Sequence, residues 1–369
     1  MNISLEGRID ITLLRHAGAT PEVRLASTRQ QLAQRLLAGL APDRAAEMVG
    51  LVFTLCGRAQ RAAAEIAGEA AQGQTPSAEL HKVREYRVLA ELAQEHVWRL
   101  LLDWPKQCGQ PPATQVLQAL RAVVGEPAAF IAALEAALTG PFLAEPVAGW
   151  LDRVSGPDGL AQFDAWCQAG AGPVAGLFAG LGKGVDWGMA QVPFLPAVHG
   201  LEQNTVLAIA RQALAQPTFC ASPRLQQRPA ETGALARGQD EPLLAAWLAE
   251  RGGGVGARML ARLLELARLP DRLRQPGPVV AKSWNGGAGI GVAAVDTSRG
   301  LLLHVLQLDA GRIVQYRILA PTEWNFQPGG PLQAALAGLP NQANLDALAR
   351  QVVLSLDPCV DYAVEVVDA

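Results

Sequence analysis

The chain has 369 residues, of which 50% are hydrophobic and 18% charged, and its formal net charge is -3. That is apolar material enough for a large core, and it excludes a disordered chain. The lack of cationic runs and an aromatic content of 5% argue against nucleic acid as a partner, because both phosphate-binding charge and stacking surface are missing.

The opening stretch, residues 1–11, alternates apolar and polar side chains and lacks a basic segment followed by an apolar one, so it reads as a strand and not a signal peptide. Residues 2–15 are predicted to lead into a hairpin. From about Pro21 the pattern turns helical, and three Ala/Leu/Arg-rich segments follow at 44–73, 79–103 and 113–139. In the second, Tyr86, Leu89, Leu92, Ala93, Val97, Leu100 and Leu101 fall on one predicted buried stripe. Long antiparallel helices of this kind suggest a central bundle. Residues 141–203, rich in Gly and Pro, are expected to form short helices and loops. Helices should resume at 205–215 and 242–269.

Residues 278–319 change character: alternating β-branched residues around Gly and Asp turns predict a small antiparallel sheet. A helix over 330–354 then precedes a short tail. The expected fold is α+β and predominantly helical, with a central long-helix bundle and small antiparallel β-elements near both ends. It is read as one domain over 1–369, with opening strands at 1–20, a mainly helical part at 21–275, and hairpins, a helix and the tail at 276–369. Charged residues, Gln or Pro interrupt every long Ala/Leu stretch before the roughly 20 apolar residues of a spanning helix accumulate. A soluble, cytoplasmic protein is therefore expected, with no membrane partner. Cys56, Cys108, Cys167, Cys220 and Cys359 lie far apart with no CxxC pair, which supports neither a disulfide framework nor a zinc knuckle and fits a reducing compartment.

Four short patterns stand in order from one end of the chain to the other: Leu5-Glu6-Gly7-Arg8; Leu55-Cys56-Gly57, expected inside an Ala-rich helix; Asp296-Thr297-Ser298-Arg299-Gly300 with His304 and then Pro321-Thr322-Glu323-Trp324-Asn325; and Asp357-Pro358-Cys359. Together they resemble the nickel–iron hydrogenase large subunit. That family has a glutamate on its first strand and an N-terminal Cys-Gly-x-Cys motif. Further on come a Pro-Arg-Gly hairpin followed by His, a Pro-Thr-x-Trp-Asn stretch and a C-terminal Asp-Pro-Cys-x-x-Cys. The resemblance implies a hydrogenase large-subunit-like fold over nearly the whole chain.

The departures shape the functional expectation. In that family four thiolates hold nickel beside an iron that carries cyanide and carbonyl. Here the second cysteine of each motif falls on Ala59 and Tyr362, and the following histidines fall on Ala63 and Glu365. The bridging sulfurs are the ones missing, so a nickel–iron centre is not expected. The same halved ligand set makes the chain similar to the HupK/HoxV-type hydrogenase expression/formation proteins, paralogues of the large subunit. That resemblance implies a non-catalytic scaffold for assembly or transfer of the Fe(CN)2CO fragment. The expected partners are other hydrogenase maturation proteins, chaperones and the immature large subunit. The alternative is a metal-free pseudo-enzyme that only docks those partners.

Cys56 and Cys359 are the expected metal ligands, against the ordinary reading of a lone cysteine as a small core hydrophobe. Arg299 is expected over the diatomic ligands, as a fixed charge with five donors suited to an anionic cyanide nitrogen; a surface arginine at a hairpin turn is the plainer reading. Ser298 stands beside it where the family has Pro. Thr322 is expected to offer its hydroxyl to the second cyanide. Glu6 occupies the place of the family's proton-accepting glutamate. Asp357 either caps a helix end or orients the cradle, with capping the expectation. His304 is expected to be a satisfied core histidine, and Trp324 and Asn325 to lock their turn. Cys108, Cys167 and Cys220 are assigned to packing or chance exposure.

Overall fold

The computed structural model describes residues 7–16, 18–29, 32–53, 55–170, 172–182, 184–275 and 277–368, so Leu5 and Glu6 lie outside the described residues. Two strands open the chain, β1 (Arg8–Arg15) and β2 (Glu22–Ser27). Ten helices follow: α1 (Ala33–Leu37), α2 (Pro42–Val52), α3 (Gly57–Ala71), α4 (Ala78–Trp98), α5 (Trp104–Gln107), α6 (Thr114–Ala122), α7 (Pro127–Ala137), α8 (Val147–Val154), α9 (Gly159–Ala169) and α10 (Pro173–Leu181). Beyond a long loop come α11 (Gln203–Ala215), α12 (Ala234–Gly238), α13 (Pro242–Arg251) and α14 (Val255–Arg274). The last third holds β3 (Ala281–Gly287), β4 (Ile290–Thr297), β5 (Gly300–Asp309), β6 (Arg312–Leu319), α15 (Pro321–Phe326), α16 (Pro331–Ala337), α17 (Leu345–Leu356) and β7 (Asp361–Asp368). Among the described residues no single helix is long and apolar enough to cross a membrane.

The predicted α+β, mainly helical architecture is present, with several corrections. Residues 22–27 are a strand: Val23 and Leu25 alternate with Glu22 and Arg24, the two-residue period of a half-buried strand. The segment 44–73 is two helices, α2 ending at Val52 and α3 starting at Gly57, and 242–269 is two helices broken at Gly252–Gly254. In the second break the Asp186 carboxylate accepts hydrogen bonds from the N–H groups of Gly254, Gly256 and Ala257, capping α14 from a distant loop. Segment 113–139 divides at Gly125 and Pro127, and 330–354 divides into α16 and α17 around Gly338 and Pro340.

The tail is also a strand. β7 lies parallel to β1, with Arg8 opposite Asp361 and Arg15 opposite Asp368, while β2 flanks β1 on the other side in antiparallel register. The two ends of the chain therefore share one sheet.

Strands β3 to β6 form an antiparallel meander with helices on both faces. Ala293, Val295, Leu302 and Leu306 pack on Ala59, Ala63 and Ala67 of α3. Val292, Ala294, Leu301 and Leu303 pack on Val206, Ile209 and Ala210 of α11. Because both faces are covered, β4 and β5 read as continuous apolar runs. Gly291 lets α3 approach closely, since a Cβ there would stand 2.0 Å from the Ala67 carbonyl oxygen. The largest core joins α4, α14 and α17 to an aromatic group containing Trp150, Phe163, Trp166, Phe178 and Trp247. All of the predicted stripe on α4 and the π-helical turn that follows it is buried except Tyr86, which is half-buried and donates its hydroxyl to the Val124 carbonyl.

Candidate functional site

Cys56 is not inside a helix as expected. It is the residue before α3, in an irregular conformation at φ −135° and ψ 35°. The helix breaks here because α2 and α3 cross closely: a Cβ on Gly57 would stand 2.7 Å from the Gly50 carbonyl oxygen. The first N–H groups of α3 are taken by another helix, with Glu91 of α4 accepting from Arg58 N and Ala59 N at 2.9 Å each. Cys359 lies between α17 and β7, so its place is set by the parallel pairing of the chain's ends.

The fold brings the two thiols to one small pocket, lined by both cysteines together with Arg29, Leu32, Phe53, Gln60 and Glu323. Cys359 also borders a neighbouring cleft of about 350 Å³ that contains Glu95, Arg99, Arg299 and Tyr362. Burial, then Cys359, then Glu91 push the Cys56 thiol upward, while Arg299 and Gln60 pull it back. On the other sulfur, Thr322 Oγ1 lies 3.0 Å from Cys359 Sγ and accepts from Cys359 N at 3.1 Å. The hydroxyl is therefore engaged by Cys359, and it can donate its hydrogen when the sulfur is a thiolate. Arg29 Nη1 donates to Cys359 Sγ at 3.4 Å, and its Nε donates to Glu323 at 2.8 Å.

Arg299 stands at the turn between β4 and β5 but is only 3% exposed, which rules out the surface-arginine reading. Its Nη2 donates to Glu95 at 2.6 Å, and its Nε lies 3.1 Å from Asp357 Oδ1 in an ion pair without hydrogen-bond alignment. Burial opposes its charge, and Asp357, Glu95 and the two cysteines outweigh that and raise its proton affinity. Its Nη1 is buried with no acceptor among the described residues.

Asp357 caps α17 through its backbone, whose N–H donates to the Val353 carbonyl at 3.0 Å, while its side chain does other work. It occupies the C-terminal end of α17 in a left-handed conformation, φ 59°, and its carboxylate turns to arginines. Arg99 Nε donates to Oδ1 at 2.7 Å, and Arg262 Nη2 lies 3.8 Å from Oδ2. Burial would raise this carboxyl, but Arg299, Arg99 and Arg262 hold it well below the usual carboxylate range.

Ser298 is buried in the turn and lines neither the pocket nor the cleft. His304 is fully buried and hydrogen-bonded on both ring nitrogens, as a satisfied core histidine should be. Asn325 exchanges hydrogen bonds with the Thr232 backbone, and Trp324 is packed in the core. Ala59 and Ala63 are buried under the meander, Glu365 is exposed on β7, and Tyr362 faces Gln107. Cys167 and Cys220 are buried and Cys108 is exposed.

Arg29, Gln60, Glu91, Glu95 and Arg99 were not singled out from the sequence. Gln60 had a usable signal, one helical turn after Cys56. Glu91, Glu95 and Arg99 recur at four-residue spacing on α4 and the π-helical turn that continues it, so they share one face, whereas Arg29 carries no local mark.

The donor set limits what the pocket can hold. Among the described residues no group of three or more His, Cys, Asp or Glu side chains could bind a metal ion. A metal here would have two protein sulfurs and would need to bring its other ligands. The acceptorless Arg299 Nη1 suits ligands that carry an anionic acceptor.

Residues 265–365 match the nickel-dependent hydrogenase family. The chain is 30% identical to the hydrogenase expression/formation protein HupV of Azotobacter chroococcum mcd 1, over 99% of this chain and 100% of that protein. It is 31% identical to HupK of Bradyrhizobium diazoefficiens, over 99% and 98% of the two chains. For HoxV of Cupriavidus necator the identity is 29%, over 98% and 96%. Among solved structures, a NiFeSe hydrogenase variant from Desulfovibrio vulgaris Hildenborough superposes with a TM-score of 0.59 at 15% identity, over 96% of this chain and 99% of that one. The NiFeSe hydrogenase of Desulfomicrobium baculatum gives 0.59 at 15% identity, over 94% and 95%. The fold is that of the hydrogenase large subunit.

Proposed function

Since the chain belongs to the hydrogenase expression/formation family of HupK, HupV and HoxV, and so has its role in hydrogenase maturation, we propose that it is a non-catalytic scaffold that holds an iron–dicyanide–carbonyl unit for delivery to the immature large subunit. The observation that carries this reading is the shared pocket of Cys56 and Cys359 beside the buried Arg299 guanidinium, whose Nη1 has no acceptor among the described residues.

The cargo would supply its own cyanide and carbonyl ligands, and the chain would supply two thiolates. Cys359 is prepared for that role by two donors, Arg29 and Thr322, which stabilise a charged sulfur. Arg299 Nη1 would donate to a cyanide nitrogen, and Asp357 and Glu95 hold its guanidinium in place. Ala59 and Tyr362, standing where bridging sulfurs would be, leave nothing to retain nickel beside iron and keep the protein's grip to two bonds. A carrier needs a grip that can be released. Other maturation proteins and chaperones are the proposed donors of the cargo.

Infrared spectra of anaerobically purified protein test the reading. Carbonyl and cyanide stretches are expected, with about one iron per chain, and Cys359→Ala should abolish both. Bands at full strength in that variant would overturn the assignment. A second reading, a metal-free protein that only docks the same partners, draws on the rise in the Cys56 thiol caused by burial and by Cys359, which favours a protonated sulfur. Iron-free protein from cells with an intact maturation system would decide for it.

A further inference from the structure

Behind Cys56 runs a chain of polar side chains that the shape of the pocket does not require. Gln60 Nε2 donates to Cys56 Sγ at 3.6 Å. Gln60 Oε1 lies 2.8 Å from His304 Nε2, and His304 Nδ1 lies 2.7 Å from the Tyr316 hydroxyl. Gln60 is 2% exposed, His304 0% and Tyr316 1%, so water cannot correct a mismatched donor. Burial pushes the imidazole down to about 3, which leaves a neutral ring with a single N–H.

Only two orders of hydrogen bonds are then self-consistent along the chain. In the first, the Tyr316 O–H donates to Nδ1, the Nε2–H donates to Gln60 Oε1, and the amide N–H donates to Cys56. The second reverses every bond: the Cys56 S–H donates to Oε1, the amide donates to Nε2, and Nδ1–H donates to the Tyr316 oxygen. His304 is the sole hydrogen-bonding partner of the Tyr316 hydroxyl among the described residues, so the second order strands a buried O–H without an acceptor. Leaving a buried donor unmatched costs far more than the bond itself contributes. The first order is favoured, and it ends on a sulfur that accepts.

We propose that Gln60, oriented by His304 and Tyr316 as positioning residues, presents a fixed N–H to Cys56 and so favours its sulfur as an acceptor, that is, as a thiolate or a metal-bound sulfur. This rests on the reading of Cys56 as a ligand and adds how the fold prepares it. The order is set at Tyr316, the last member of the hydrogen-bonded chain, by the count of donors. Arg29 and Thr322 do the corresponding work for Cys359, so each sulfur has its own donors.

The test is the alkylation of the metal-free full-length protein by iodoacetamide at one pH, with Cys56 and Cys359 read separately by peptide mass spectrometry. Gln60→Leu removes the donor, Gln60→Glu keeps the shape but replaces the N–H, and Tyr316→Phe removes only the hydroxyl that sets the order. Each is expected to slow Cys56 about tenfold or, for Tyr316→Phe, severalfold, with Cys359 within twofold of the parent, because a charge-assisted hydrogen bond is lost at one sulfur alone. Unchanged Cys56 rates in Gln60→Leu and Tyr316→Phe would overturn the proposal, as would equal slowing of both cysteines. No iron is needed in this assay. Failure of the scaffold reading would show in the infrared spectra, and failure of this proposal in the alkylation rates.

Discussion

At the scale of single residues, the charged groups behind the pocket are tightly interdependent. Asp357 is fully buried and faces Arg99, Arg262 and Arg299, while Glu95 completes the grip on Arg299. Removing one partner of such a group leaves the others charged and desolvated, so Asp357→Asn should cost about 3–5 kcal/mol in urea unfolding. Acid should weaken the fold in two stages. Burial holds His304 at about 3 and also lowers His96. Since the unfolded values lie near 6.5, the unfolded chain takes up protons first, and stability falls as pH drops below about 6.5 towards the folded values. Asp357 acts at lower pH: its folded pKa is depressed, so its stabilisation is complete above about 4 and disappears as pH falls through the folded value. Urea unfolding followed from pH 7 to pH 4 should show the first stage. His304→Gln should reduce its slope by about 1.4 kcal/mol per pH unit, the effect of one proton.

At the scale of elements, the site depends on two close crossings and one strand pairing. The α3–β4 contact tolerates no side chain at Gly291, where a Cβ would meet the Ala67 carbonyl oxygen. Gly291→Ala should therefore force α3 off the sheet, at a cost of about 1–3 kcal/mol by thermal melting, and faster alkylation of Cys56 should accompany the shift. Strand β7 both closes the first sheet and fixes Cys359. A chain ending at Val360 should lose stability, and its Cys359, freed from Thr322 and Arg29 and from its place in the pocket, should react at the rate of an exposed thiol. The sequence was read only as a short tail here, and neither the strand nor its partner was foreseen. A parallel partner can lie anywhere in the chain, and no turn marks the register.

At the scale of the whole molecule, the fold joins its ends so that two distant thiols face one space. Phenylarsine oxide, which needs two neighbouring thiols, should bind one equivalent per native chain and fail on Cys56→Ala, on Cys359→Ala and in urea. Full binding by either single variant would refute the shared pocket. The sequence by itself determined the family, the helical α+β class, the meander at 278–319 and the two cysteines, because periodicity and short motifs are local properties. Its errors were also local: β2 was read as helix, and Cys56 was placed inside a helix, although Gly57 marks a close crossing visible only once α2 and α3 are packed. The tertiary structure alone decided that Arg299 is buried, that Asp357 grips arginines with its carboxylate while its backbone caps α17, and that Arg29, Glu95 and Gln60 belong to the site. Those facts depend on burial and on contacts between distant segments, and neither leaves a periodic trace in the chain.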